Sequence, residues 1–146
     1  MNDQSSWDEC IETNAALAVT PNKFKAKSLI ETAKGRINFL SEVTIKESNA
    51  NYIFENYYSS VLELIHAIVL VNGYKVGNHI CLGYYIRDIL KKYDLFRFFD
   101  DCRVKRNALV YYGKTMEFEV ANESIANCSK LIAQLNILLK NENRQN

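Results

Sequence analysis

Hydrophobic residues recur along the chain mainly at intervals of three and four, the spacing of one face of an α-helix. Five such patterns are long enough to be core helices, and a thinner stripe lies near the N-terminus. With one proline, five glycines and no series of short alternating segments, nothing in the pattern indicates a sheet. The chain therefore predicts an all-α fold: an up-and-down bundle of five core helices with a short peripheral N-terminal helix.

The first two core helices have recognisable ends. Thr20 is a predicted N-cap with Pro21 in the first turn, and this helix extends to about Val43. The second ends at Asn72, before Gly73, a residue that readily adopts the left-handed conformation at a helix C-terminus. Apolar side chains surround more than half of the second helix, so it is predicted to be the central helix of the bundle.

Three further core helices are predicted: His79 to about Lys92, Leu95 to Tyr112, and a long helix from Thr115 to about Lys140. Asp94 and Thr115 are the predicted N-caps of the last two, and Gly113 ends the fourth. Ile89 is predicted to face inward. These patterns divide the chain into an N-terminal extension (1–19), a helical domain (20–140) and a disordered tail (141–146).

Composition narrows the environment. The start of the chain lacks the features of a signal peptide, and the most apolar stretch, Val61 to Val71, is too short to cross a bilayer, so a cytoplasmic protein without membrane contact is expected. The four cysteines are widely spaced, without a CxxC pair. They are predicted to be buried small hydrophobes rather than disulfides or metal ligands, and no cofactor is expected.

The formal charge of +1 is unevenly distributed. Arg87 to Lys114 contains eight basic and four acidic residues, a local +4, which leaves −3 for the remainder. A solvated helix face explains such a segment, and so does attraction to phosphate or to an acidic partner. On the central helix, Glu63 and His66 lie on one polar line. A buried carboxylate there needs a partner, and Arg106 is a candidate.

The fourth helix contains the run Arg106-Asn107-Ala108-Leu109-Val110-Tyr111-Tyr112-Gly113, followed by a long amphipathic helix. This run resembles the signature of HEPN (higher eukaryotes and prokaryotes nucleotide-binding) domains. The central helix YYSSVLELIHAIVLVNGYKV, with its Gly-Tyr before a short connection and a His-containing helix, has the layout of these domains. The resemblance covers roughly residues 23–140 and implies a HEPN-like bundle that pairs with a two-fold mate.

In HEPN ribonucleases the motif arginine contacts phosphate and a histidine four residues after the asparagine transfers protons without metal. Here Arg106 and Asn107 match, but Tyr111 occupies the histidine position. A phenol with its ordinary pKa of about 10 is a poor general base at neutral pH. The resemblance therefore implies Arg106, Asn107 and Tyr111 as the catalytic positions of a domain with reduced or no ribonuclease activity.

The same segment predicts a binding surface for a nucleotide or RNA. Its members carry guanidinium, ammonium and phenol groups: Arg103, Lys105, Arg106 and Tyr112. Glu63 and His66 are predicted as supporting residues. The resemblance implies a homodimer that serves as a toxin-antitoxin or accessory component, with a nucleotidyltransferase-type antitoxin as partner.

Two alternatives remain open. In the first, the bundle is a protein-interaction module and Arg106 is structural, so that Arg106→Ala orphans Glu63 and strongly lowers the melting temperature. In the second, the protein is a metal-independent endoribonuclease that combines Tyr111 with a histidine from elsewhere in the chain.

Overall fold

The computed structural model describes residues 4–144, which contain six α-helices and a small two-stranded sheet. The helices are α1 (Trp7–Glu12), α2 (Lys23–Ser41), α3 (Ala50–Val71), α4 (His79–Tyr84), α5 (Tyr93–Tyr112) and α6 (Phe118–Arg144). The strands are β1 (Ala16–Ala18) and β2 (Tyr74–Val76). The predicted helical bundle is confirmed.

Helix α3 is the centre of the bundle, as predicted from its apolar circumference. It packs against α2, α4, α5 and α6, and its second half is buried almost without interruption. Tyr58 is fully buried, whereas Tyr57 beside it is half-buried. Gly73 follows the helix with φ of +85°, so the predicted left-handed glycine is confirmed.

Several helix starts differ from their predicted caps. Helix α2 begins after Asn22, whose Oδ1 accepts a hydrogen bond from the Lys25 amide at 3.0 Å, and not at Thr20. Asp94 lies within the first turn of α5, and Thr115 precedes α6 by three residues. Asparagine and threonine are both good N-cap residues. In α2 the N-cap is the asparagine, which directly precedes the first helical residue.

The predicted peripheral helix belongs to the core. Trp7 of α1 is only 3% exposed, and its ring meets Tyr74 and Tyr85 edge-on at centroid distances of 5.2 and 5.0 Å. Strand β1 pairs antiparallel with β2, with Ala16 opposite Val76. The prediction that the N-terminal helix is peripheral is therefore wrong, and so is the prediction that the chain forms no strands.

A disulfide joins Cys10 of α1 to Cys81 of α4. The expectation that all cysteines are unpaired is therefore wrong for this pair, whose members lie 71 residues apart in sequence. Cys102 of α5 and Cys128 of α6 are free, buried thiols with sulfurs 3.9 Å apart.

Among residues 4–144 no cluster of side chains has the composition of a metal site. The same range contains no helix long and apolar enough to span a membrane.

The predicted third helix is split. Helix α4 ends at Tyr84 and continues as one π-helical turn, Tyr85–Ile89, before Lys91 takes up φ of +57°. The wider turn changes which side chains face the core. Ile86 is buried and Ile89 is exposed, so the prediction that Ile89 faces inward is wrong.

Helix α6 buries an apolar stripe at helical spacing: Ile125, Cys128, Ile132, Leu135 and Leu139. At its start Ala121 is buried and Val120 is exposed. The helix continues through Arg144, so the predicted tail is helical over its first four residues. The remainder of that tail lies outside the described residues.

Candidate nucleic-acid interface

The predicted binding residues lie on the second half of α5, where the helix leaves the core. Arg106 and Asn107 are half-buried, and the Arg106 Nη1 donates to Asn107 Oδ1 at 3.4 Å. Tyr111 and Tyr112, in the last turn, are 69% and 83% exposed. The ring of Tyr111 is therefore available to solvent and does not close the core.

The connection from α5 to α6 is anchored to the central helix. Gly113 ends α5 with φ of +63°, a conformation that favours glycine, and confirms the predicted C-terminus. Asn51 of α3 then bonds the Met116 backbone twice: its Oδ1 accepts from the amide at 2.8 Å and its Nδ2 donates to the carbonyl at 3.0 Å. This clamp fixes the end of α5 that carries the exposed tyrosines.

Two of the predicted cations on α5 are neutralised by their own helix. Arg103 pairs with Asp100 at 2.8 Å, and Lys105 pairs with Asp101 at 2.7 Å. Arg106 has no carboxylate within ion-pair distance among the described residues. Its positive charge is therefore the uncompensated one at the centre of the predicted cluster.

Glu63, the predicted supporting partner of Arg106, is engaged elsewhere. Its Oε1 accepts from Arg36 Nε at 3.1 Å and its Oε2 accepts from Arg36 Nη2 at 3.5 Å. The Glu63 carboxylate is paired with an arginine, as expected for a partly buried carboxylate. That arginine belongs to α2, which packs against α3. The predicted Arg106–Glu63 pair is wrong.

Arg106 instead lies against two aromatic rings. Its guanidinium carbon is 5.8 Å from the ring centroid of Tyr58 and 5.8 Å from that of Tyr111. These are cation–π distances. Tyr58 is a buried residue of α3 that stacks on Phe99 of α5 at 6.0 Å, so the inner ring is fixed by the core. The guanidinium thus lies near two rings and donates one N–H to Asn107, and its other N–H groups make no hydrogen bond to the described residues.

His79, the first residue of α4, completes this arrangement. The Tyr58 hydroxyl and His79 Nδ1 are hydrogen-bonded at 3.1 Å. Burial lowers the pKa of His79 to about 4, and the nearby charges of Arg106, His66 and Arg103 act in the same direction. Burial also raises the pKa of Tyr58. At neutral pH both groups are uncharged, so Arg106 is the charged member of the three.

Sequence patterns missed Tyr58 and His79 as members of the site. Tyr58 lies in the core, and His79 is half-buried at the start of α4 rather than at the surface. Their contact depends on how α4 turns back over α3 after β2, which no short-range pattern encodes. The predicted supporting residue His66 makes no hydrogen bond with Arg106 within the described part of the chain. Burial, and then Lys25, lower the pKa of His66.

The geometry favours binding chemistry over proton transfer. A guanidinium, an amide and an exposed phenol can hold a phosphate and stack on a base. General acid–base catalysis needs a group whose pKa lies near the working pH. The pKa of His79 lies well below neutrality. Tyr111 has no hydrogen-bonded base beside it among the described residues.

The chain matches no protein-family model, no curated protein and no solved structure. The HEPN resemblance therefore rests on the α5 motif and the layout of the helices, and it stays a prediction.

Proposed function

We propose that the protein is a HEPN-like domain that binds a nucleotide or single-stranded RNA at the C-terminal half of α5. The observation that carries the proposal is Arg106, half-buried, without a carboxylate partner among residues 4–144, and held against Tyr58 and Tyr111. A guanidinium in that setting is a ready partner for a phosphate.

The exposed tyrosines supply the second part of the proposed interface. Single-stranded RNA is recognised largely by stacking of unpaired bases on aromatic side chains, with arginines at the phosphates. Tyr111 lies beside Arg106, and Tyr112 adjoins it on the last turn of α5. A strand that places a phosphate on Arg106 can therefore stack a base on Tyr111.

We further propose that ribonuclease activity is reduced or absent. The motif histidine is replaced by Tyr111, and His79, the histidine nearest to Arg106, is neutral and hydrogen-bonded to Tyr58. The function that remains is that of an RNA-associated toxin-antitoxin or accessory component. The motif implies a homodimer with a nucleotidyltransferase-type partner, and the exposed Val104 and Val110 on α5 provide apolar surface for the dimer contact.

Fluorescence anisotropy with a labelled single-stranded oligoribonucleotide tests this function. Arg106→Ala is expected to weaken binding about tenfold, because one charge-assisted contact to phosphate is lost. Tyr111→Ala is expected to weaken it by a similar factor through lost stacking, whereas Tyr111→Phe retains the ring and the affinity. Arg97→Ala is the matched control, since Arg97 lies on the same helix, is exposed, and pairs with Asp94.

The results separate the alternatives. Wild-type protein that binds neither RNA nor free nucleotide at millimolar ligand refutes the proposal and leaves the protein-interaction module. RNA cleavage that is lost in both Arg106→Ala and His79→Gln favours the metal-independent endoribonuclease, for which the proximity of His79 to Arg106 is the supporting observation. Binding that Arg106→Ala leaves unchanged excludes this site.

A further inference from the structure

His66, three residues after Glu63 on α3, lines a second cationic site: a hollow of about 240 Å³ that we call the His66 hollow. It is formed by α2, α3 and β2. Its polar lining is Lys25, His66 and Lys75, over an apolar floor that includes Leu29, Val69 and Val76. Three elements that are distant in sequence thus bring two ammonium groups and an imidazole to one depression.

The charges around the His66 hollow are not neutralised within the described part of the chain. Neither Lys25 nor Lys75 has a carboxylate within ion-pair distance there. The nearest acidic residue along α3, Glu63, is bonded to Arg36. Burial and the charge of Lys25 lower the pKa of His66. The hollow is therefore electropositive and has vacant donors.

The His66 hollow and the Arg106 site both adjoin α3. Burial lowers the pKa of His79, and the charges of Arg106, His66 and Arg103 act in the same direction. Tyr58, which contacts Arg106, and His66 are eight residues apart on α3, or about 12 Å along the helix axis. An extended strand of a few nucleotides covers such a distance.

We propose that the His66 hollow binds a second phosphate of the same single-stranded RNA that contacts Arg106. This inference rests on the proposed function. Lys25 and Lys75 would hold the phosphate from two sides as point charges, and His66 would donate one hydrogen bond to a phosphate oxygen. The apolar floor gives the sugar or base of that nucleotide a surface without competing acceptors.

The chain has only two histidines, so NMR can report on both sites at once. The imidazole signals are assigned with His66→Gln, and a short oligoribonucleotide is titrated into the protein. The signals of His66 and His79 are both expected to shift, with the same saturation curve. In the double variant Lys25→Ala/Lys75→Ala the His79 shift persists and the His66 shift disappears.

Salt dependence gives an independent measure. For single strands each phosphate contact contributes about 0.7 to the slope of log K against log salt, so the double variant is expected to have a slope shallower by about that amount. Lys130→Ala/Lys140→Ala is the matched control, because both lysines are exposed on α6. Its slope is expected to equal that of the wild type.

The failures of the two proposals are distinguishable. A shift of His79 without His66, or an unchanged slope in the Lys25→Ala/Lys75→Ala variant, overturns the second phosphate site and leaves the Arg106 site. A shift of His66 without His79 overturns both the Arg106 site and the shared strand. Saturation of the His66 signals by AMP at the oligonucleotide's own affinity also overturns the shared strand, since a free nucleotide would then suffice.

Discussion

We compare the loss of stability expected for Arg106→Ala with that expected for Arg36→Ala. The comparison tests whether Arg106 stabilises the fold or is available to bind a ligand. If Arg106 stabilised the bundle by neutralising Glu63, its removal would orphan a buried carboxylate. In the structure, Arg36 is the residue that pairs with Glu63. We therefore expect Arg36→Ala to lower the free energy of unfolding more than Arg106→Ala does.

The contacts set the magnitudes. The Arg36 and Glu63 side chains are 33% and 16% exposed, and two bonds of 3.1 and 3.5 Å join them. Fully exposed pairs contribute at most about 1 kcal/mol, and breaking a buried pair costs about 3 to 5 kcal/mol. For this half-exposed pair we expect Arg36→Ala to cost about 1.5 kcal/mol.

Arg106→Ala removes a cation–π contact to buried Tyr58 and a weaker one to exposed Tyr111. Such contacts are worth about 0.5 to 1 kcal/mol near a surface. We expect a loss of about 0.5 kcal/mol, since removal of the unpaired charge itself relieves repulsion from the other cations of α5. In a chain of this length 1 kcal/mol corresponds to about 3 °C, so the expected shifts are about 5 °C for Arg36→Ala and under 2 °C for Arg106→Ala.

Urea unfolding followed by circular dichroism measures both variants, with Glu63→Gln added to complete a double-mutant cycle. Arg36→Ala and Glu63→Gln should couple by about 1 kcal/mol, and Arg106→Ala with Glu63→Gln should be additive. Arg97→Ala, an exposed arginine of α5, controls for loss of charge. An Arg106→Ala cost equal to that of Arg36→Ala, with coupling to Glu63, would refute this assignment and restore the structural interpretation of Arg106.

Two further predictions concern the N-terminal segment and His79. The Cys10–Cys81 disulfide closes a 71-residue separation, which in the chain-entropy model stabilises the fold by about 4 kcal/mol, so dithiothreitol should lower the thermal midpoint markedly in the wild type and not in Cys10→Ser. Equal midpoints with and without reductant in the wild type would contradict it. Because folding lowers the pKa of His79 from 6.5 to about 4, the unfolded state takes up a proton first, and stability should be complete above pH 6.5 and fall as the pH decreases towards 4. Urea midpoints measured across this range should fall less steeply in His79→Gln, and parallel curves would contradict the burial of a neutral imidazole.

The central part of the fold was predictable because its signals are local and redundant. The apolar circumference of α3 required neighbours on several sides, and Gly73 and Gly113 marked helix ends that only a left-handed residue completes. The N-terminal segment was not predictable in the same way. Its burial depends on pairing of β1 with β2 and on Cys10 meeting Cys81, contacts that join positions about half a chain apart. A three-residue strand and a six-residue helix are too short for periodicity to reveal such contacts.

Part of the site was predictable because its signals are also local. Helical spacing on α5 places four residues near one another: Arg106, Asn107, Tyr111 and Tyr112. The partners that give Arg106 its environment come from α3 and α4. Sequence could state that Glu63 needs an arginine, but the choice between Arg36 and Arg106 required knowing which helix packs beside α3 at that turn. The π-helical turn had a similar effect at Ile89, because one extra residue rotates every later side chain.

Among residues 4–144, Arg106 lies between aromatic rings without a carboxylate partner, whereas the neighbouring cations of α5 each pair with a carboxylate of the same helix. Arg103 and Lys105 follow Asp100 and Asp101 at the spacings that neutralise charge on a helix. Departures from such local consistency concentrate at functional sites, where an interaction is left for a ligand. The fold also holds this departure rigidly: Tyr58 is stacked on Phe99 and bonded to His79, so the guanidinium rests on a ring that the core fixes. A ligand that supplies the missing negative charge meets an arginine whose position is already set, and little ordering free energy opposes its binding.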